Sequence, residues 1–299
     1  MLRRSLIVLA VVSAALALVA TAGSRTRAGF PITIQTVDGP VTISKQPTRI
    51  VSLSPTITED LFAVGAGKQV IAVDDQSDYP TSAPRTKLSG YTPNAEAVAG
   101  YNPDLVIVSY DGPFVGQLQK LGMTVLVEPA IDTMAQAYEQ IRQIGRATGH
   151  TPQATKVVRN MEIKFTKAIR SVPKSHRHLR IYHELTPDYY SATSSTFVGR
   201  VYKLFGFVNV ADAADTTHSG YPQLSAEYIV KSNPQLIVLA DDVCCGQSAA
   251  TVASRPGWSG VDAVKNKRVI AIDDSIASRW GPRLVNFVAD VAAAARRGG

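Results

Sequence analysis

Aromatic side chains follow several predicted β-strands of this sequence, in loops where ligands commonly bind. Six such loops carry them, at Tyr79, Tyr91, Tyr110, Tyr189 with Tyr190, Tyr221 and Trp280. Aromatic rings that meet across a cleft suit a large, flat, partly apolar ligand with polar groups on its rim. Arg279, beside Trp280, offers a partner for a carboxylate or phosphate. The pattern predicts ligand binding.

The only two cysteines are neighbours, Cys244 and Cys245, in the stretch "DDVCCGQSA". An oxidising compartment favours pairing of thiols, so we expect a vicinal disulfide that shapes this loop. Two buried thiols are the alternative. A metal site here is disfavoured, because no second pair of Cys or His residues lies nearby.

Signatures of catalysis are missing from the sequence. It has no Gly-x-Ser-x-Gly elbow and no Walker loop. Ser109 and Ser191 stand at predicted strand ends, but no histidine is evident beside the first. We expect His176, His178 and His183 to be exposed loop imidazoles. Because no histidine precedes His150, a transition-metal site shared by the two halves of the chain is disfavoured. We therefore expect no enzyme activity, no cofactor and no bound metal, with a secreted α/β hydrolase as the alternative.

The N-terminus has the features of an export signal. Arg3 and Arg4 precede an apolar run, and Ala20-Thr21-Ala22 fits a small-residue cleavage pattern. We predict a signal peptide over residues 1–22, with an uncleaved membrane anchor as the alternative. The net charge of +7 is scattered along the chain, so nucleic-acid binding is not expected.

Strands and helices alternate about every dozen residues in two parts of the chain. This alternation predicts βαβ units and a parallel sheet in each part. Between them, apolar residues recur at helical spacing from Val158 to Val172, after a Thr151-Pro152 helix start. We predict two doubly wound α/β lobes, at 48–150 and 173–299, bridged by one long helix at 151–172. Helix starts are also predicted at Asp132 and, from a capping-box pattern, at Thr56 with Glu59.

One segment occurs twice, once in each predicted lobe. "NAEAVAGYNPDLVIVS" spans 94–109, and "SAEYIVKSNPQLIVLA" spans 225–240. Each predicts a capped helix, an Asn-Pro turn and a buried strand that ends at the cleft. Glu96 and Glu227 occupy matching positions in the first helical turn, which we expect at the end of the segment opposite to the cleft. Acids there also interact favourably with the helix dipole.

These segments resemble a known family. "SLSPTITE", "SDYP" and both copies of the repeated segment are similar to substrate-binding proteins of ABC importers for cobalamin and iron chelates. The similarity runs from Arg49 to the terminal helix, and it is closest to the cobalamin-binding members. It implies two α/β lobes joined by a single long helix, which limits hinge opening.

The resemblance also implies roles for individual residues. Tyr91, Tyr190 and Tyr221 stand where the family has aromatic side chains that contact the corrin. Glu96 and Glu227 stand where its glutamates dock onto arginines of the membrane permease. We thus expect an exported monomer that captures cobalamin and delivers it to an ABC importer permease with its ATPase. A ferric siderophore or haem is the alternative ligand, and Arg200, Arg279 and Arg283 would suit such anionic chelates.

Overall fold

Two four-stranded parallel sheets form the centres of two lobes. The structure is a computed structural model and describes residues 29–36 and 38–297. A hairpin of β1 (Ile32–Thr36) and β2 (Gly39–Ile43) comes first. The first lobe follows with β3 (Ile50–Leu53), α1 (Pro55–Ala63), β4 (Val70–Val73), α2 (Ala95–Ala99), β5 (Leu105–Val108), α3 (Pro113–Lys120), β6 (Val125–Val127) and α4 (Met134–Thr148).

A single 21-residue helix, α5 (Thr151–Ser171), connects the lobes. At 1.5 Å per residue it spans about 30 Å. The second lobe contains β7 (Arg180–Glu184), α6 (Phe197–Phe205), β8 (Val208–Asn209), α7 (Ala226–Ser232), β9 (Leu236–Leu239), α8 (Asp242–Cys245), α9 (Ala249–Ser254), α10 (Asp262–Lys265), β10 (Val269–Ala271), α11 (Asp274–Ser278) and α12 (Leu284–Ala295).

The two sheets have the same topology. Their strand orders are β4-β3-β5-β6 and β8-β7-β9-β10, with every pairing parallel. In both sheets the first strand lies between the second and the third. The strand of the repeated segment, β5 or β9, is the third strand in each case. The predicted α/β fold class is confirmed, and the sequence repeat corresponds to a structural repeat.

Each sheet is covered on both faces, because alternate residues of a strand point to opposite sides. In β5, Leu105 and Ile107 belong to one apolar cluster, and Val106 and Val108 belong to another. The first of these clusters continues through α5, where the apolar side of the helix is buried, and on into the second lobe. The lobes therefore share part of their core, which supports the expectation of limited hinge opening.

Two predicted helix starts are wrong in detail, and a third is confirmed apart from its cap residue. α1 begins after Ser54, and Glu59 lies buried within it instead of completing a capping box. Thr133, with Gln136, forms the capping box of α4, so Asp132 is not the cap. α5 begins at Thr151 itself, with His150 at the N-cap. The hairpin of β1 and β2 was not predicted and lies before residue 48.

Candidate functional site

A cavity of about 650 Å³ lies at the carboxyl-terminal edge of the first sheet. Ligands of open parallel sheets bind at this edge. Residues that follow β3, β4 and β5, together with the loop before α2, line the cavity: Leu53, Ser54, Pro55, Asp74, Asp75, Gln76, Ser89, Gly90, Tyr91, Ser109 and Tyr110. Tyr91 is 93% exposed, so most of its surface is available to a ligand.

Gly90 allows the loop before α2 to approach β3 closely. A Cβ atom built on Gly90 would lie 2.9 Å from the carbonyl oxygen of Leu53, closer than real Cβ contacts come. The absence of a side chain therefore lets the loop lie against the end of the strand, and Tyr91 follows at the cavity.

A second cavity, of about 330 Å³, lies at the corresponding edge of the second sheet. It is more enclosed and more aromatic than the first. Its lining consists of His183, Leu185, Phe197, Val198, Tyr221, Ala240, Asp274, Ala277, Ser278 and Trp280. The rings of Phe197 and Trp280 meet edge to face, with centroids 6.3 Å apart.

The repeated segment has both of its ends at these cavities. Tyr91 precedes α2 and Tyr110 follows β5, and both line the first cavity. Tyr221 precedes α7 and Ala240 follows β9, and both line the second. The helix therefore runs antiparallel to its strand. The expectation that Glu96 and Glu227 lie at the end opposite to the cleft is wrong, since the first helical turn is on the cleft side.

Both glutamates are exposed on their short helices. The side chains of Asn94 and Ser225 cap these helices, accepting hydrogen bonds from the backbone nitrogens of Ala97 and Tyr228. Among the described residues, neither Glu96 nor Glu227 is in an ion pair. Their carboxylates are thus available to a partner.

Glu59, Arg279 and Arg283 form an ion-pair cluster between the lobes, which we call the interlobe clamp. The Nε and Nη2 atoms of Arg283 donate to the two carboxylate oxygens of Glu59 at 2.9 and 2.5 Å, and Nη1 of Arg279 donates to Oε1 at 3.1 Å. Only 2% of the Glu59 side chain and 11–13% of the arginine side chains are exposed. The clamp thus ties α1 of the first lobe to the segment before α12.

Arg279 makes further contacts with the first lobe. It donates to Oδ1 of Asp78 at 2.6 Å and to the backbone oxygen of Gln76, a residue of the first cavity, at 3.0 Å. Its neighbour Trp280 donates from Nε1 to Oε1 of Gln140 at 2.8 Å and lines the second cavity. The segment Arg279–Trp280 therefore connects the two cavities across the cleft.

The predicted ligand residues are divided between the cavities and their surroundings. Tyr91 and Tyr110 line the first cavity, and Tyr221 and Trp280 line the second. Tyr79 lies under the Arg283 guanidinium, whose carbon is 4.2 Å from the ring centroid. Tyr190 is 40% exposed and pairs through its backbone with Gln223.

Arg200 and Tyr189 also have partners within the chain. Arg200 lies 3.7 Å from Asp132, in an ion pair between the lobes. Tyr189 packs on the buried Trp258, with ring centroids 6.0 Å apart. Neither side chain lines the two cavities.

His183 is buried, so the prediction of an exposed loop imidazole is wrong for this residue. It lies in β7 and is 1% exposed. Its Nδ1 is 2.7 Å from the Tyr202 hydroxyl, and its Nε2 has no hydrogen-bond partner among the described residues. Burial lowers the pKa of His183 to about 4, so the imidazole is neutral at neutral pH. Ser191 donates to the backbone oxygen of His183, not to its ring.

The cysteine pair lies in α8, directly after Asp241 at the end of β9. The structure joins the sulfur atoms of Cys244 and Cys245, and both residues are exposed. Burial, together with the charge of Glu184, raises the pKa of Asp241 above its ordinary value. The exposed cysteine pair therefore follows a buried acid at the edge of the second sheet.

A thiol titration tests the pairing. We expect no reactive thiol in the unreduced protein, folded or denatured, and two after reduction, because the chain has two cysteines. The measurement is the absorbance of a thiol reagent, with fully reduced protein as the control. Two thiols in the denatured, unreduced protein would contradict the disulfide.

Several residues of the site were missed from the sequence. Asp74, Asp75 and Gln76 line the first cavity and Asp274 the second, and Glu59 holds the clamp. The position of Asp74 and Asp75 directly after a predicted strand was a usable signal. Glu59 gave none, because its partners lie more than 200 residues away.

The predicted signal peptide at residues 1–22 lies outside the described residues. Within 29–36 and 38–297, no helix is both long enough and apolar enough to cross a bilayer.

Comparison with known proteins identifies relatives over most of the chain. The chain is 33% identical to the substrate-binding lipoprotein YvrC of Bacillus subtilis, named as an uncharacterized ABC transporter protein, over 88% of this chain and 85% of that one. It is 30% identical to the cobalamin-binding protein of Halobacterium salinarum, over 88% of this chain and 73% of that one.

A solved structure has the same fold. It is a protein from Staphylococcus epidermidis described as a possible iron-binding (periplasmic solute-binding) protein. The TM-score is 0.69 at 26% identity, over 84% of this chain and 99% of that one. The family model described as "Periplasmic binding protein" matches residues 50–276. The chain therefore belongs to the periplasmic binding protein family, whose members carry solutes and are not enzymes.

Proposed function

We propose that this protein is an exported solute-binding protein that captures cobalamin or a related corrinoid between its lobes and delivers it to an ABC importer. The observation that carries the proposal is the pair of aromatic-lined cavities at the carboxyl edges of the two sheets, connected by Arg279–Trp280. Such a cleft suits a large, flat ligand with polar groups at its rim. The cobalamin-binding relative supports the choice of a corrinoid.

The importer contact is proposed at Glu96 and Glu227. Both are exposed, without ion-pair partners among the described residues, and on the cleft side of their lobes. One carboxylate on each lobe would meet arginines of a permease that spans both lobes. The protein is proposed to act as a monomer. The resemblance of the N-terminus to an export signal supports an extracytoplasmic location, with the N-terminus cleaved or kept as an anchor.

Fluorescence titration with cyanocobalamin tests the ligand. Trp280 lines the second cavity, and Trp258, the only other tryptophan, is fully buried in the second lobe. We expect saturable quenching with a Kd below about 1 µM, that is, more than about 8 kcal/mol of binding free energy. In Trp280→Phe the quenching should decrease, because the substitution removes the tryptophan that lines the cavity.

Haem and ferric siderophores are the comparison ligands. The likeness to a protein described as possibly iron-binding favours a ferric chelate as the second candidate. If one of these ligands binds more tightly than cyanocobalamin, that ligand becomes the proposed one in place of a corrinoid. A failure of all of them to bind would contradict the ligand proposal and leave the family assignment intact.

A further inference from the structure

The two cavities are lined by acids, although the chain as a whole is basic. The net charge is +7, and yet the charged residues that line the cavities are Asp74, Asp75 and Asp274. No lysine or arginine is among the described residues that line them. Charges that line a cleft influence an incoming ligand more strongly than charges elsewhere on the surface, so these acids contribute a negative potential at both cavities.

Two arginines beside the cavities, Arg279 and Arg283, are already paired. Glu59 accepts from both Arg279 and Arg283, and Asp78 accepts from Arg279. Arg283 also lies 3.7 Å from Asp273. The two arginines thus face three carboxylates, so the cluster as a whole carries no net positive charge. The guanidinium groups therefore do not offset the acids for an incoming anion.

The imidazole of the second cavity adds no positive charge either. His183 is buried and bonded at Nδ1 to Tyr202, and its pKa is lowered to about 4 by burial. Asp75, in contrast, is exposed at the first cavity, and Asp274 is partly exposed at the second. One acid on each lobe thus faces whatever occupies the cleft.

We propose that the cleft selects its ligand by charge. It accepts corrinoids that carry neutral carboxamides on their rim or that are positively charged. It rejects corrinoids and other chelates that carry carboxylates on their rim. This inference rests on the proposed corrinoid function. Carboxamide N–H groups can donate to the aspartates, whereas a carboxylate at the same place meets a like charge and has no proton to donate.

Near-isosteric ligands test the proposal. Cyanocobalamin is compared with its monocarboxylic acids, in which one rim amide is replaced by a carboxylate, and with the methyl esters of the same acids. We expect the acids to bind about tenfold or more weakly than cyanocobalamin, the effect of one like-charge contact at a partly exposed site. The esters lack both the negative charge and the amide protons, so a lost hydrogen bond affects acids and esters alike, whereas charge repulsion affects the acids alone. We therefore expect the esters to bind more tightly than the acids.

Salt supplies a second readout. Between about 0.01 M and about 1 M salt the Debye length falls from about 30 Å to about 3 Å. The difference in affinity between acid and ester should shrink over that range. A difference that does not depend on salt would overturn the electrostatic explanation.

Variants assign the effect to particular residues. In Asp75→Asn plus Asp274→Asn, the discrimination against the acids should fall at least about threefold, as expected when two screened charges are removed. The matched control is Asp38→Asn plus Asp290→Asn, which removes two exposed acids that do not line the cavities and should leave the discrimination unchanged.

The outcomes separate this inference from the function on which it rests. If cyanocobalamin and its acids bind equally, charge selection is wrong and corrinoid binding stands. If the control variant changes the discrimination as much as the cavity variant does, the cavity aspartates are not responsible and the inference fails. If no corrinoid binds at all, the proposed function fails, and the inference fails with it.

Discussion

Replacing Glu59 with alanine is expected to lower the free energy of unfolding by about 2–4 kcal/mol, because it leaves two poorly solvated guanidinium groups without their shared partner. Glu59 is 3% exposed, and its two oxygens accept three hydrogen bonds from Arg279 and Arg283. Arg279 keeps Asp78, and Arg283 keeps Ser275, so the cost lies toward the lower part of the range for broken buried pairs. A chain of 299 residues has an unfolding entropy of about 0.6 kcal/mol/K, so we expect the midpoint of thermal unfolding to fall by roughly 3–7 °C.

Asp78→Ala is the matched control for the loss of Glu59. Asp78 also pairs with Arg279, at 2.6 Å, but 57% of its side chain is exposed. Exposed pairs contribute about 0–1 kcal/mol, so the control should change the melting temperature little. The melting temperature of Glu59→Gln, which retains a hydrogen-bond acceptor, should lie between those of Glu59→Ala and Asp78→Ala. Equal melting temperatures for Glu59→Ala and the original protein would show that the clamp does not stabilise the fold.

Asp60, the neighbour of Glu59, reduces the stability that is lost when Glu59 is removed. Asp60 is fully buried, and burial together with the Glu59 charge raises its pKa well above the ordinary value. Removing Glu59 lowers the electrostatic cost of ionising Asp60 and so offsets some of the lost pairing. The expected cost above includes this relief, because an ion pair packed beside a second acid stabilises less than an isolated one.

The architecture was accessible from the sequence because its signals are local. The apolar run of β5 and the spacing of Val158, Met161 and Phe165 on α5 are short-range patterns, and both elements are present in the structure. The caps Asn94 and Ser225 were likewise read from a few adjacent residues. Elements of this kind follow from periodicity and capping chemistry.

The electrostatics of the cleft were not accessible in the same way. Glu59 fitted a local capping pattern, but a contact with Arg283, 224 positions later, determines its role. Arg279 was predicted to meet a ligand anion, and the structure gives it Asp78 and Glu59 as partners. Which charges remain open to a ligand depends on pairings across the lobes, and a single sequence does not encode these as a pattern.

The largest functional effect is expected for Glu96→Ala combined with Glu227→Ala. We expect cobalamin uptake to fall by about tenfold or more, while the Kd of the isolated protein for cobalamin stays within about twofold. The carboxylates are exposed and do not line the cavities, so ligand contacts remain. Close charge pairs at protein interfaces contribute about 1.5 kcal/mol or more each, and losing one pair per lobe accounts for the fall in uptake.

A structural effect of the two substitutions can be separated from a docking effect. Acids in a first helical turn stabilise the helix by about 0.3–1 kcal/mol, so a small decrease in melting temperature is expected in either case. The control variant, Glu139→Ala plus Glu162→Ala, removes two acids of α4 and α5 that are about half exposed and lie in ion pairs with Arg142. Both variants change the net charge by the same amount, but only the first removes carboxylates from the cleft side. The measurement is the uptake of labelled cobalamin in cells that express the matching importer. The docking role is wrong if the two variants transport equally well.

Reversal of both charges, by Glu96→Lys and Glu227→Lys, should reduce uptake further, because each lobe would then repel the arginines that it is proposed to meet.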